Sequence, residues 1–464
     1  KTASLYYPNV FTIANINMSS SAYIEESDDA RRQMQSFFAM AQLGYKESLY
    51  LDVTARNDWS STLAFTERKS RGFFYPSVGL SWIIPKSFSM PSLISFGKVR
   101  ASWSKVGNDI PLFVSNTVGH IAAGGIPQPN DTAPFGTLKP EMSSSFEIGT
   151  EWKFFDYRMD VDLTFYKTNT KNQLFSLPSS AGAAYKYYFV NAGNIQNMGV
   201  ELTFGAVPIL TNQFKWNTTL NFSRNKNEVK KLHDDLASFI QGDEGFSSSY
   251  TMRLVEGGSF GDIYGKAFER DKYGAIVYGR DGLPQEIGSG NTAKVGNCNP
   301  AFLLGNGFTY KDFSFYFLID GHFGGDVLAQ TQAVLDQTGV SKVSGEARTM
   351  GYVDLEGHHI YNIKGFYEQV GGRNGVTEYY MYDATNIRLR ELSLGYTLPK
   401  RLLGRKQFLK NAELSFVARN LFFIYKKAPF DPDAVLSASN SNQGIDIFGI
   451  PTTRSVGFNV KLSF

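Results

Sequence analysis

Cysteine is almost absent, since Cys298 is the only one among 464 residues. An intrachain disulfide is therefore excluded, and so is a metal cluster held by several thiolates. Charged residues are also few, at 19% of the chain, below the roughly 25% of a typical soluble domain. The formal net charge is +3, and no long block of Lys and Arg occurs. Because nucleic-acid binding needs a concentrated basic footprint, we expect no nucleic-acid partner.

Long apolar runs are missing as well. No stretch approaches the roughly 20 apolar residues that a membrane-spanning helix needs. The opening residues, KTASLYYPNV, have neither the apolar core nor the cleavage site of a secretory signal. A membrane β-barrel is still compatible with this sequence, because its strands alternate apolar and polar residues and leave no peak of hydropathy.

Motifs of catalytic, cofactor and metal sites are missing too. The sequence has no G-x-S-x-G elbow, no P-loop and no H-E-x-x-H. Residues 271–282 superficially suggest a calcium loop but lack its alternating acidic positions and final Glu, so two glycine turns around a short hairpin explain them better. His358 and His359 point apart if extended and have no third ligand at metal-site spacing, which favours a solvated loop. We therefore expect no enzyme, no metal site and no cofactor.

Aromatic residues are plentiful, at 15% of the chain, and they favour strands. Period-2 alternation indicates about fourteen strands, each near the length of a tilted membrane strand. Two of the segments, 185–191 and 263–269, alternate poorly. The candidate segments, fifteen when both weak ones are included, are 36–45, 48–59, 73–84, 97–107, 144–154, 158–169, 185–191, 198–207, 214–225, 263–269, 302–310, 313–323, 387–398, 412–423 and 454–464.

Short and long connections alternate along the chain. A membrane barrel predicts this, with tight turns on the periplasmic side and large loops outside, whereas a soluble sandwich places long loops at both ends. With the last strand running towards the periplasm, every short turn is expected there, provided that both weak segments count as strands. The long connections, predicted to be extracellular loops, are 106–142, 170–197, 226–300, 324–385 and 424–451.

The chain closes on an amphipathic strand, RSVGFNVKLSF. We expect its apolar side chains to face lipid and Ser455, Asn459 and Lys461 to face the lumen. An alternating strand with a terminal aromatic resembles the signal that the barrel-assembly machinery pairs with, although an ordinary closing strand has the same pattern. The residues assigned to this assembly signal are Val456, Phe458, Val460, Leu462 and Phe464.

Several stretches resemble, in the same order, those of the SusC/RagA family, the TonB-dependent outer-membrane transporters of Bacteroidetes. Each stretch is weakly specific, but the run of them covers nearly the whole chain. They are YLDVTARNDWSSTL (50–63), FYPSVGLSWIIPKSF (74–88), FGKVRASWSKVGND (96–109), residues 138–174, NIRLRELSLGYTLPK (386–400), SFVARNLFFIYKKAPFDPD (415–433) and PTTRSVGFNVKLSF (451–464).

The resemblance implies an all-β fold, in which residues 1–464 are the C-terminal part of a transmembrane antiparallel barrel of about 22 strands with a plugged lumen. The plug domain, its TonB-contacting segment and the first strands would then lie outside this chain. It also implies a SusD-like surface lipoprotein as partner, contact with outer-membrane lipid, and import of an oligosaccharide or peptide ligand powered by the TonB complex. A passive porin or adhesin barrel and a secreted soluble glycan-binding β-sandwich are the alternatives.

Two groups of residues are candidates for contact with a ligand. Tyr185, Tyr187 and Tyr188, with Lys186, could form a platform that stacks on sugars, although tyrosines in the interface belt of a membrane protein are commoner. Residues 56–59 could line the mouth of the barrel, but a structural corner with Trp59 in the aromatic belt is the better interpretation.

Overall fold

The computed structural model describes residues 31–66, 72–112, 114–115, 119–122, 126–128, 130–135, 139–179, 182–233, 238–240, 249–288, 293–297, 303–403, 409–435 and 443–464. Cys298 lies outside these ranges. Among the helices of the described residues, none is long and apolar enough to cross a membrane.

One antiparallel sheet of 13 strands dominates the fold, and its strands are adjacent in the order in which they follow along the chain. This confirms the all-β prediction. The strands are β1 (Met34–Tyr45), β2 (Leu49–Ser60), β3 (Phe73–Ile83), β4 (Ile94–Asn108), β5 (Glu141–Phe154), β6 (Met159–Pro178), β7 (Tyr187–Leu210), β8 (Phe214–Lys231), β9 (Leu303–Tyr310), β10 (Phe313–His322), β11 (Asn386–Thr397), β12 (Asn411–Lys426) and β13 (Ser455–Ser463).

The two weak segments are not separate strands of this sheet. Residues 187–191 of the first weak segment belong with residues 198–207 to one uninterrupted strand, β7. Residues 263–269 contribute instead to small sheets outside the large one. The prediction that all short turns lie on one side required both weak segments to count as strands, and this requirement is wrong. Every short turn lies at the same end of the sheet only when both segments are left out.

The connection predicted at 170–197 differs most from what is observed. β6 and β7 stay paired up to Pro178 and Tyr187, so most of this segment is a long hairpin rather than a loop. Residues 171–173 are Lys, Asn and Gln, and this polar run hides the alternation by which a strand is recognised. The extension beyond this run also buries apolar side chains, since Phe175 and Leu177 belong to one buried cluster with Leu254.

One face of the sheet carries apolar rows that continue from strand to strand. In one row Val53 lies opposite Val78, Val78 opposite Trp103, and Trp103 opposite Phe146. Val78, Trp103 and Phe146 are 41%, 41% and 45% exposed. An apolar band this wide is far larger than the patches that soluble monomers expose, and it fits contact with lipid acyl chains.

The opposite face is polar. Arg100 on β4 donates to both carboxylate oxygens of Asp162 on β6, at 2.8 and 2.9 Å, although β5 lies between them. Gly149 on β5 makes this possible, because a Cβ there would lie 2.8 Å from Nε of Arg100. Polar residues on the inner face and apolar residues on the outer face are typical of a membrane barrel.

β13 continues the apolar face. Val460 lies opposite Leu414 and Phe458 opposite Phe416, whose rings are 5.7 Å apart. Among the described residues, β13 pairs on one side and so does β1, whose side chains are all exposed. The role of Val456, Phe458, Val460, Leu462 and Phe464 as an assembly signal stays a prediction.

The long connections fold into a second layer, here called the cap, formed by residues 249–288, 326–383 and 443–447. Its core includes Ile263, Phe366, Val370 and Ile445, each fully buried. The cap joins the barrel at β8, where the backbone of Val229 bonds to Gly257 and Gly258. Its helices are α1 (Gln330–Gln337), α2 (Lys342–Met350) and α3 (Ile363–Val370).

Local capping explains where two of these helices begin. The side chains of Ser341 and Asn362 accept hydrogen bonds from the backbone N–H groups of Ser344 and Gly365, each at 3.0 Å. α2 ends at Gly351, whose φ of 84° is in the left-handed region that glycine adopts readily. Small strands complete the cap. They include Tyr250–Val255, Asp262–Gly265, Asp326–Ala329, Met381–Asp383 and Ile445–Asp446.

Candidate ligand-binding site at the mouth of the barrel

Charged residues gather where the cap meets the ends of β10, β11 and β12. Arg388 on β11 lies at the centre, with only 2% of its side chain exposed. Its guanidinium donates to Asp433, lies 3.8 Å from Asp431, and faces Asp320 on β10 at 3.5 Å. The cation also stacks on the ring of Phe423 on β12, 5.0 Å from the centroid. Three strands of the wall and a long connection thus meet at one buried cation.

A second arginine extends this network. Arg390 donates through Nε to Asp320 at 2.7 Å and lies 3.5 Å from Asp433. Arg390 lies two residues beyond Arg388 on β11 and so on the same face of the strand, at a bulge where the register with β10 shifts between Leu318 and Ile319. The two arginines face three aspartates, so the network carries a net charge of −1.

A cavity of about 280 Å³ opens beside the network. Gly324 and Gly325, both at φ 79°, turn the chain from β10 into the cap. Because glycine has no side chain, these two residues leave room for the cavity that they line. His322 and Asp433 line the cavity as well, and Nδ1 of His322 lies 3.5 Å from Oδ1 of Asp433, which belongs to the network. The remaining lining is largely apolar. It consists of Asp326, Val327, Ala384, Pro432, Val435, Gln443 and Gly444.

An ion pair fixes the strand next to this cavity. Lys427 donates to Asp383, which lies beside the cavity residue Ala384. Burial acts to raise the pKa of Asp383, but hydrogen bonds from Lys427 and Thr385 outweigh it and leave this pKa below its ordinary value. The carboxylate of Asp383 is therefore charged at neutral pH and holds Lys427 as an ammonium.

The segment that follows β12 crosses the site and ties it to the cap. Ile445–Asp446 pairs in parallel with Leu328–Ala329, and Ile445 is fully buried. Burial raises the pKa of Asp446 above its ordinary value. We call residues 427–435 and 443–454 the strap, because they supply Asp431 and Asp433 to the network and a strand to the cap.

Comparison with known proteins decides the family. The sequence profile of the family described as TonB dependent receptor-like, beta-barrel matches residues 2–421. This chain belongs to that family. Its members are outer-membrane proteins, so the localisation predicted from the sequence is confirmed.

Individual relatives of this TonB-dependent receptor chain agree with the family assignment, since they are themselves named TonB-dependent receptors. TonB-dependent receptor P3 of Formosa agariphila is 26% identical over 489 residues, which cover 96% of this chain and 47% of the relative. TonB-dependent receptor SusC of Bacteroides thetaiotaomicron is 22% identical over 491 residues, covering 96% of this chain and 46% of SusC. The resemblance to the SusC/RagA family is thereby confirmed. The receptor chain spans about half the length of the curated relatives it matches.

Solved structures share the fold. The RagAB peptide importer in its open-open state superimposes with a TM-score of 0.74 at 18% identity, over 98% of this chain and 49% of that one. At this level of identity the match concerns the fold.

The predicted tyrosine platform of the receptor chain does not form as one surface. Tyr187 and Tyr188 are consecutive residues of β7, so their side chains point to opposite faces of the strand. Tyr185, Tyr187 and Tyr188 are 37%, 45% and 41% exposed at the tip of the β6–β7 hairpin, where Lys186 pairs with Asp131 at 2.9 Å. Contact with a ligand stays a prediction for each tyrosine.

The other sequence candidates have structural partners. Asp58 is buried and pairs with Arg56 at 2.7 Å, in agreement with a structural corner at the end of β2. His358 and His359 do point apart, since they stack on Tyr278 and Tyr352, respectively. They lie in a small hairpin, Val353–Leu355 with His358–Ile360, rather than in a loop.

The presumed calcium loop is indeed a pair of glycine turns. Gly274 and Gly282 have φ of 88° and 76°, and their N–H groups close turns onto Asp271 and Gly279.

Sequence reasoning missed the arginine network. Arg388 and Arg390 lie in the segment NIRLRELSL, where a polar residue at every second position predicts an ordinary strand with one face towards the lumen. This pattern gives no sign of buried ion pairs. Asp320 in FSFYFLIDGHF was the available signal, because a carboxylate at the end of an otherwise apolar strand needs a partner.

Proposed function

We propose that the full-length protein is an outer-membrane importer that takes up oligosaccharides or peptides by TonB-dependent active transport, together with a SusD-like surface lipoprotein. The observation that carries this proposal is the cavity at the junction of cap and barrel, beside the charged network. Ligand sites are concave, mostly apolar and equipped with a few convergent polar groups, and this cavity combines those features near the barrel mouth.

A solved structure supplies the peptide class, and the resemblance of the sequence to the SusC/RagA family implies the oligosaccharide class. RagAB is described as a peptide importer, and the SusC match places this chain among TonB-dependent receptors. The carboxylate of Asp433 can accept hydrogen bonds from sugar hydroxyl groups or from the ammonium groups of a peptide. Val327 and Val435 add apolar surface that suits a sugar ring or an aliphatic side chain. Both classes therefore belong in the test.

Filling the cavity tests its role. Val435→Trp in the full-length transporter places a large side chain in the cavity, and Val340→Trp makes the same change at a cap position that is 70% exposed. We expect Val435→Trp to weaken binding of defined oligosaccharides or peptides by about tenfold or more, as measured by calorimetry, and Val340→Trp to leave it unchanged. Equal binding by both variants would remove the cavity from the proposal.

Uptake measurements test energy coupling separately. Growth on the bound ligand should require the transporter, TonB and the surface lipoprotein, because each deletion removes one part of the import machinery. Ligand uptake that persists without TonB would favour a passive porin instead. A protein that stays soluble without detergent would favour the soluble sandwich.

A further inference from the structure

The outer face of the barrel changes from apolar to basic in one sector near the long connections. Because cross-strand partners share a face, the register identifies which side chains point outwards. In one row Phe165 lies opposite Val200, and Val200 opposite Arg224. The next row towards the long connections runs from Phe146 through Lys167 and Met198 to Lys226.

Further basic residues follow along the same strands. Lys171 lies four residues beyond Lys167 on β6, so it occupies the same face. Lys230 lies on β8 beside Glu228, to which both Lys226 and Lys230 donate. We define the basic belt as Lys167, Lys171, Arg224, Lys226 and Lys230. With Glu228 included, its net charge is +4.

The belt is exposed and local. The side chain of Lys226 is 68% exposed and that of Lys230 is 38% exposed, while Lys167, Lys171 and Arg224 are also exposed. On β12, the outward residues near the same end are Phe422 and Tyr425, at 51% and 46% exposure. The outward residues at this end of β12 are thus aromatic, whereas those of β6–β8 are largely basic.

We propose that the basic belt binds the phosphate groups of an anionic glycolipid in the outer leaflet. The belt adjoins the apolar band that contacts acyl chains, so a single lipid can place its chains on the band and its phosphorylated headgroup on the lysines. Long connections mark the extracellular end of such barrels, which puts the belt at the outer leaflet. Ammonium and guanidinium groups pair with phosphate by charge-assisted hydrogen bonds.

A charge-matched comparison tests this inference. The belt variant is Lys167→Gln, Lys171→Gln, Lys226→Gln and Lys230→Gln in the full-length transporter. The control removes the same number of charges at or near the short turns, and neither set belongs to the cavity or its network. The control substitutions are Lys46→Gln, Lys86→Gln, Lys215→Gln and Lys311→Gln.

Native mass spectrometry of detergent-solubilised protein, titrated with bisphosphorylated lipid A, gives the readout. We expect the belt variant to bind lipid A about tenfold more weakly than wild type, because each lysine near an anionic lipid surface contributes to affinity. The control should stay within about twofold of wild type, since its charges lie at the other end of the barrel. Lipid A without phosphates should bind the wild type as weakly as lipid A binds the belt variant.

Several results would overturn the inference. These are equal binding by belt variant and wild type, equal losses in belt variant and control, or undiminished binding of the dephosphorylated lipid. Displacement of lipid A by millimolar inorganic phosphate would indicate a site for free anions instead. Heat-dependent mobility on gels verifies that each variant folds, and the double variant Lys226→Gln with Lys230→Gln replaces the belt variant if it does not fold.

Discussion

At the residue scale, Arg388 has the largest fully buried side chain among the described residues. A buried guanidinium is tolerated only when carboxylates compensate for its lost hydration, and Asp320, Asp431 and Asp433 do so here. Two of these aspartates come from the strap, so closure of the strap and burial of Arg388 depend on each other. The pair of Arg419 on β12 and Glu391 on β11, at 3.0 Å, has no such requirement, because the side chain of Arg419 is 62% exposed.

Substitution of Arg388 by Gln should loosen the strap. The three aspartates of the network would then have a single arginine, Arg390, to compensate their negative charge. We expect a loss of about 3–5 kcal/mol in the stability of the closed strap. Arg419→Gln should cost at most about 1 kcal/mol, since that arginine is largely exposed. The rate of protease cleavage within residues 427–454 of the full-length protein measures both effects, and similar rates in the two variants would contradict the assigned role.

At the element scale, the strap depends on one short parallel strand. Ile445–Asp446 is too short to be stable by its hydrogen bonds, and its pairing with Leu328–Ala329 is supported by the burial of Ile445 in the cap core. Ile450 lies five residues further along the same connection and is 87% exposed. The same residue type thus anchors the strap at one position and contacts solvent at the other.

Truncation of Ile445 to Ala should destabilise the docked strap by about 2–5 kcal/mol, the usual cost of a large-to-small change in a core. Ile450→Ala should leave stability within about 0.5 kcal/mol of wild type, as an exposed position does. Hydrogen exchange of the backbone around residues 326–329 and 443–447 measures undocking. If exchange accelerates equally in both variants, the strand does not anchor the strap.

At the scale of the whole molecule, the sheet separates two environments. Leu202 on β7 lies in an apolar row between Leu163 and Phe222, whereas its neighbour Thr203 lies between Asp162 and Asn221. Consecutive residues therefore face lipid and lumen, and the same substitution has opposite consequences at the two positions.

Arginine at Leu202 should destabilise the membrane-inserted barrel by about 2–4 kcal/mol, as a cation on the lipid face does near the bilayer midplane. Thr203→Arg should cost far less, because the lumen face is polar and Asp162 is its neighbour. Urea unfolding of the full-length protein in lipid vesicles provides the comparison. A larger loss for Thr203→Arg would mean that the two faces are assigned the wrong way round.

Much of the barrel was predictable from the sequence, because strand alternation is a local property. In residues 158–169, the alternation of Val161, Leu163 and Phe165 with polar neighbours already identified the lipid face. Tight turns such as Lys46–Glu47 have positive φ at both residues and mark the strand ends independently of the rest of the fold. Periodicity and turn composition therefore determined the fold class and most strand positions, whereas the common side of the short turns followed only from the observed set of strands.

Only the tertiary structure decided the cap, the β6–β7 hairpin and the candidate site. The partners in the network are far apart in sequence, with 45 residues between Arg388 and Asp433 and 70 between Arg390 and Asp320. No local pattern encodes such pairs, because they form when the strap packs against the barrel wall. The belt likewise depends on register, since Lys167 and Lys226 share a face only through the pairing of β6 and β8 with β7.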